Sequence, residues 1–166
     1  MEPDLDPRPI LETLVRHGVD FVLIGGLAGV ALGSALQTFD VDIAYGRTRE
    51  NLERIAEALI ELGATPRGAP RDVSFQLDAK TLLAGANFTF DTRYGSLDIL
   101  GDPAGSPPYE KLREAGERLE VAGFQITVSS IDHLIAMKEA TGRTKDKLMA
   151  TEYRVLADEI RRREAG

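Results

Sequence analysis

Three aspartates stand in apolar surroundings where a carboxylate is costly. Asp40 and Asp42 lie two residues apart in Phe39-Asp40-Val41-Asp42-Ile43, and Asp98 sits in Leu97-Asp98-Ile99. Apolar flanks predict that all three lie on buried strands rather than in turns. A strand points residues i and i+2 to one face, so Asp40 and Asp42 share a face. Neighbouring carboxylates repel, and burying them unpaired is expensive. A divalent cation relieves that repulsion, and hard cations favour carboxylate oxygen. If the strand of Asp98 runs beside that of Asp42, the three acids converge. They would then hold Mg²⁺ (or Mn²⁺), two ions being the usual arrangement for in-line transfer at phosphorus.

Gly25-Gly26 is the second chemical feature. It follows the apolar run Phe21-Val22-Leu23-Ile24 and opens a segment of small residues. Glycine lets a backbone approach a phosphate closely, and a helix N-terminus adds free N–H donors. A tight strand-to-helix turn would use the same pair. The sequence is neither a Walker A motif nor a Gly-x-Gly-x-x-Gly fingerprint. The only histidines, His17 and His133, leave a zinc site to be built from carboxylates, which disfavours it. Ser129, Ser130, Asp132 and His133 are adjacent, which suits helix capping better than a catalytic triad.

The elements that must position these residues follow from periodicity. Residues 1–9 read as a loose lead-in, followed by a helix from Ile10 that stops at Gly18. Phe21–Ile24 and Val41–Ala44 read as buried strands, with a small-residue helix over 27–35 between them. Residues 48–62 carry the clearest helical stripe, Leu52, Ile55, Leu59 and Leu62, with Thr48 as N-cap and Gly63 as stop. Alternation at Val73, Phe75 and Leu77, and at Phe88 and Phe90, predicts further strands, with Asp78 and Lys80 exposed among them. Leu97–Leu100 is another strand, 101–108 a loop, and 109–115 a short helix. A hairpin turns at Ala122-Gly123, and helices over 130–163 complete the chain. This is an α/β (α+β) mixed sheet with helices packed on it and a helical C-terminal portion, all in a single domain over 1–166.

Composition bounds the function. The 166 residues hold 20 Lys or Arg against 27 Asp or Glu, a net charge of -7. That disfavours a general nucleic-acid coat, which binds through basic patches. Residues 138–166 hold 8 Lys or Arg against 6 Asp or Glu, so the basic side chains gather on the last helices. With no cysteine there are no disulfides or thiolate nucleophiles, which fits a reducing compartment. The acidic start and the lack of a long apolar run predict a cytoplasmic chain that does not span a membrane.

Taken in order, four motifs resemble the nucleotidyltransferase superfamily with the DNA polymerase beta-like fold, most closely its small bacterial toxin-type (AbiEii-like) branch. They are Ile24-Gly25-Gly26-Leu27-Ala28 with Gly33-Ser34, then Thr38-Phe39-Asp40-Val41-Asp42-Ile43, then Tyr94-Gly95-Ser96-Leu97-Asp98-Ile99-Leu100, then Leu134-Ile135-Ala136-Met137-Lys138 with Gly142-Arg143-Thr144-Lys145-Asp146. The resemblance implies Mg-dependent transfer of a nucleoside monophosphate from an NTP to an RNA (a tRNA end) or protein acceptor, with an antitoxin protein as partner. It implies that Gly25 and Gly26 contact the triphosphate, with Ser34 and Thr38 in the same nucleotide-binding group. Asp40 and Asp42 would bind metal, and Asp98 would be a third ligand or the general base. Lys138 and Lys145 would neutralise phosphate, with Asp146 orienting a lysine or the nucleotide. The sequence departs from its relatives at Leu36, where many carry arginine, and at Leu148 and Met149, where another acid is common. Those departures keep open an alternative: a non-catalytic relative that binds a nucleotide or a protein partner.

Overall fold

The computed structural model describes residues 4–68 and 75–166. Helix α1 spans Pro7–Arg16, strand β1 Phe21–Ile24, helix α2 Gly25–Ala31, strand β2 Asp40–Tyr45 and helix α3 Arg49–Glu61. Strand β3 is Thr65–Pro66, helix α4 Ala79–Ala84, strand β4 Asn87–Thr92 and strand β5 Gly95–Leu100. Helix α5 (Tyr109–Ala115), strands β6 (Glu117–Val121) and β7 (Phe124–Val128), and helices α6 (Ile131–Ala140) and α7 (Thr144–Ala165) follow.

The strands form one mixed sheet in the order β3-β4-β5-β2-β1-β7-β6. β2 runs antiparallel to β1 but parallel to β5, and β1 runs parallel to β7. All four residues of β1 are buried, as a central strand covered on both faces requires. Burying each such side chain contributes about 1.5–3 kcal/mol. Ile10, Leu11 and Leu14 of α1 and Leu52, Ile55 and Leu59 of α3 join β1 and β2 in the core. Tyr45 is fully buried there, and its hydroxyl donates to the Ala86 carbonyl at 2.7 Å.

Three helices end on the same device. In α1, α2 and α3 the chain passes through a glycine at positive φ: Gly18 (70°), Gly33 (117°) and Gly63 (66°). In each, the glycine N–H and the next N–H fold back onto the last helical carbonyls. At α2, Gly33 donates to Val30 O and Ser34 to Gly29 O. This is the Schellman arrangement, and only glycine adopts that φ without strain.

Several expectations are corrected. α1 begins at Pro7, inside the expected lead-in, because Asp6 caps it by accepting from Arg8 N–H at 3.3 Å and proline is favoured in a first turn. α2 covers 25–31 rather than 27–35, since its C-terminal motif at Gly33 stops it. Of the expected strand at Val73, Phe75 and Leu77, Val73 lies outside the described residues, and 75–77 form no strand. Phe75 instead packs edge-on against Phe88 and Phe90, with centroids 6.3 and 5.9 Å away. Asp78 caps α4 by accepting from Thr81 N–H at 2.7 Å, and Lys80 lies within that helix. Of the two serines that could cap α6, Ser130 does so, as the sequence allows. Ser129 N–H instead donates to Leu23 O at 2.9 Å, prolonging the β1–β7 pairing.

Candidate active site

The parallel β2–β5 pairing places Asp42 directly opposite Asp98, while Asp40 stands opposite Ser96 on the same face of β2. Carboxylate oxygens from Asp40, Asp42 and Asp98 all lie within 4.8 Å of one another. The antiparallel β1–β2 register sets Ile24 opposite Asp42. The turn from β1 into α2 therefore closes over this carboxylate.

That contact explains the glycine pair. A Cβ at Gly25 would overlap the Asp42 carboxylate, and Gly25 has φ 70°. A Cβ at Gly26 would lie 2.8 Å from Thr38 Oγ1. Thr38 in turn donates its hydroxyl to the Asp40 carbonyl at 3.1 Å, which ties the approach segment to β2. Gly25 thus admits a residue of the acidic strand and Gly26 one of the segment leading into it, while both line the cavity.

Crowding shifts the acids. Burial, followed by the charges of Asp40 and Asp98, pushes the Asp42 carboxyl up to about 8. Burial and the Asp98 charge also raise Asp40, with Arg67 and Lys138 partly offsetting them. Repelling carboxylates whose oxygens lie within 4.8 Å of one another suit a hard divalent cation, so the donor set fits Mg²⁺ or Mn²⁺.

The acids open into a cavity of about 520 Å³ that also takes in Gly25, Gly26, Thr38, Lys138, Lys145 and Asp146. Ser34 is not among its lining residues. Its hydroxyl accepts from the Leu36 N–H at 3.1 Å, so the structure gives it a turn-forming role. Asp146, another residue of the lining, is 5% exposed. It accepts from Thr141 Oγ1 at 2.7 Å and lies 2.8 Å from Arg143 Nε and 3.5 Å from Lys138 Nζ. Burial alone would raise this carboxyl, but the Thr141 hydroxyl and the two cations overcome it and hold it below its ordinary value.

Several cavity residues escaped the sequence. Arg67 donates from Nη2 to Asp98 Oδ1 at 2.8 Å. Arg143 and Thr141 hold Asp146, and the exposed Phe39 stands at the cavity lining. Arg67 lies in a Pro-Arg-Gly segment that reads only as a turn, and its position depends on β3–β4 pairing. Arg143, by contrast, lies within the C-terminal motif itself. Leu36, at the expected arginine position, is half-buried and packs on the core.

No protein-family model matches the chain, and no curated protein matches it. Solved structures do. The lincosamide antibiotic adenylyltransferase LnuA, bound to lincomycin, superposes with a TM-score of 0.61 at 13% identity, over 92% of this chain and 99% of that one. ANT(2'')-Ia in complex with adenylyl-2''-tobramycin gives 0.57 at 14% identity, over 92% and 86%. The chain has the nucleotidyltransferase fold. A candidate nucleotidyltransferase from Thermotoga maritima, TM1012, gives 0.57 at 17% identity over 88% of each chain. Among the described residues, no helix is long and apolar enough to cross a membrane.

Proposed function

We propose that this protein transfers a nucleoside monophosphate from an NTP to an acceptor hydroxyl. The observation that carries the reading is the convergence of Asp40, Asp42 and Asp98 within 4.8 Å at the floor of a cavity whose lining includes Arg67, Lys138, Arg143 and Lys145. An acceptor oxygen attacks the α-phosphorus, the bond to the bridging oxygen breaks, and pyrophosphate leaves with that electron pair. A divalent cation held by the three aspartates would supply the charge stabilisation that such transfer needs.

The chain's own residues divide the remaining work. Lys138 and Lys145 neutralise phosphate charge, and Asp146 orients Lys138 through the 3.5 Å contact. Gly25 and Gly26 keep the cavity floor open to a triphosphate because a Cβ at either would fill space next to Asp42 or Thr38. Asp98, on the strand beside Asp42, is placed either to complete the ligand set or to take the acceptor's proton. Thr38 fixes the segment leading into β2.

The acceptor is an RNA end or a protein if the chain follows the toxin-type branch that its motif order resembles, with an antitoxin as partner. The structural neighbours named for antibiotics motivate a small hydroxylated acceptor as the competing class. The test is incubation of purified protein with each α-labelled NTP, Mg²⁺ and, separately, total RNA, a protein extract, a lincosamide and an aminoglycoside. Label in one acceptor, with release of pyrophosphate and loss of both in Asp42→Asn, supports the reading. Absence of label in every arm would favour the non-catalytic alternative. Leu36 motivates that alternative, because it puts an apolar group where many relatives carry a cation. Arg67 and Arg143, however, bring guanidinium groups to the same cavity from other elements.

A further inference from the structure

Asp98 differs from the other two acids in being held by a cation. Arg67 Nη2 reaches Asp98 Oδ1 at 2.8 Å, and the pair is mostly shielded from water. The guanidinium is itself anchored to β4: Nη2 donates to the Phe90 carbonyl at 3.1 Å, and Nε to Asp91 Oδ1 at 3.3 Å. Its backbone is anchored too, with Arg67 N–H donating to Thr89 O at 2.9 Å. Asp91 accepts from Ser96 Oγ at 3.4 Å, which ties the far end of the arrangement to β5. Arg67 is therefore a braced arm rather than a mobile surface cation. A planar guanidinium braced on one strand presents its N–H to Asp98 from a fixed direction, which a lysine ammonium does not do.

We infer that Arg67 is a positioning residue that sets the orientation of Asp98 towards a divalent cation shared with Asp40 and Asp42. The inference rests on the metal-dependent reading above and adds a role for a residue outside its motifs. Holding Oδ1 of Asp98 restrains the carboxylate beside Asp42, its partner across the strand pair, and leaves Oδ2 without an Arg67 contact. Partners that orient a ligating carboxylate commonly contribute about ten- to a hundredfold in metal affinity or activity.

Charge and orientation predict opposite signs, which makes the inference testable without turnover. Removing a nearby cation should by itself tighten Mn²⁺ binding, since like charges repel. Removing an orienting clamp should weaken it. Mn²⁺ dissociation constants are measured by electron spin resonance of the free ion for wild type, Arg67→Ala, Arg67→Lys, Asp98→Asn and the Arg67→Ala/Asp98→Asn double variant. The expected result is about tenfold weaker binding in both Arg67 variants. That weakening should be absent when Asp98 is already asparagine, because the two residues act as one unit. Added methylguanidinium should restore affinity to Arg67→Ala. Tighter binding in Arg67→Ala, unchanged binding in Arg67→Lys, or full weakening in the Asp98→Asn background would each overturn the positioning role. Wild type that binds no Mn²⁺ overturns this inference and the metal-dependent reading together. Wild type that binds Mn²⁺ but transfers nothing overturns only the catalytic reading, and the affinity series still decides the role of Arg67.

Discussion

Two mostly buried aspartates, Asp42 and Asp146, line the same cavity, and their surroundings are opposite. Asp42 is crowded by Asp40 and Asp98, and burial with those charges raises its carboxyl to about 8. Asp146 is buried at the start of α7, yet Thr141, Lys138 and Arg143 hold it below its ordinary value. The first acid has a deficit of positive charge, which a bound cation would fill. The second is already satisfied by Thr141, Lys138 and Arg143. A buried acid therefore signals a ligand only when its neighbours leave the charge uncompensated.

The largest effect that would break this comparison is catalytic. Asp42→Asn should lower transfer by at least about a thousandfold, since charge stabilisation at phosphorus is worth several kcal/mol. It should also remove the rise in melting temperature that Mg²⁺ or Mn²⁺ gives wild type through linkage. Radiolabel transfer and thermal scans with and without metal measure both. An unchanged metal shift would place the cation elsewhere.

Next comes the satisfied acid. Asp146→Ala leaves Thr141 and the partly shielded Lys138 without their partner, at a cost of about 2 kcal/mol after discounting the exposed Arg143. A fall of several degrees in melting temperature is expected, accompanied by a weaker Michaelis constant for NTP. Asp42→Asn should show no such fall in metal-free protein, since it relieves repulsion.

The pH dependence sharpens the contrast further. The folded pKa of Asp42, about 8, lies above its unfolded value. Native protein then keeps a proton that the unfolded chain has released. Its contribution to metal-free stability is accordingly greatest near pH 4 and declines as the pH rises to about 8. Asp146 has the opposite sign: its folded pKa is lowered, so its contribution is present above the unfolded value and lost on acidification. Denaturation in chelator at several pH values should show the alkaline decline in wild type and its reduction in Asp42→Asn. A decline of equal size in the variant would assign it to other groups.

The smallest expected effect is at the rim. Lys145 is exposed and lines the cavity. Lys145→Ala should raise the Michaelis constant for NTP by about three- to tenfold, the worth of one exposed charge-assisted contact, without moving the melting temperature. A loss of stability instead would make it a structural cation.

Much of the site was legible because its determinants are local. Two-residue spacing put Asp40 and Asp42 on one face of β2, and the apolar flanks of Asp98 marked a second buried strand. The Thr48 cap, the Gly63 stop and the Ala122-Gly123 hairpin turn likewise depend on near neighbours, and each occurs where the residues predict it. Residues 75–77 form no strand: alternation of Phe and Leu cannot distinguish a strand from residues that pack as an aromatic cluster beside a short helix.

The sequence by itself determined which residues are acids on strands, where glycine permits a turn, and where the C-terminal helices begin. Only the tertiary structure decided that β5 lies parallel beside β2, so that Asp98 meets Asp42. It also decided that Arg67 reaches Asp98 from the β3–β4 pairing and that Asp146 is compensated where Asp42 is not. The physical reason is range: capping, turn geometry and side-chain periodicity are set within a few residues, whereas strand order and charge compensation join residues dozens of positions apart.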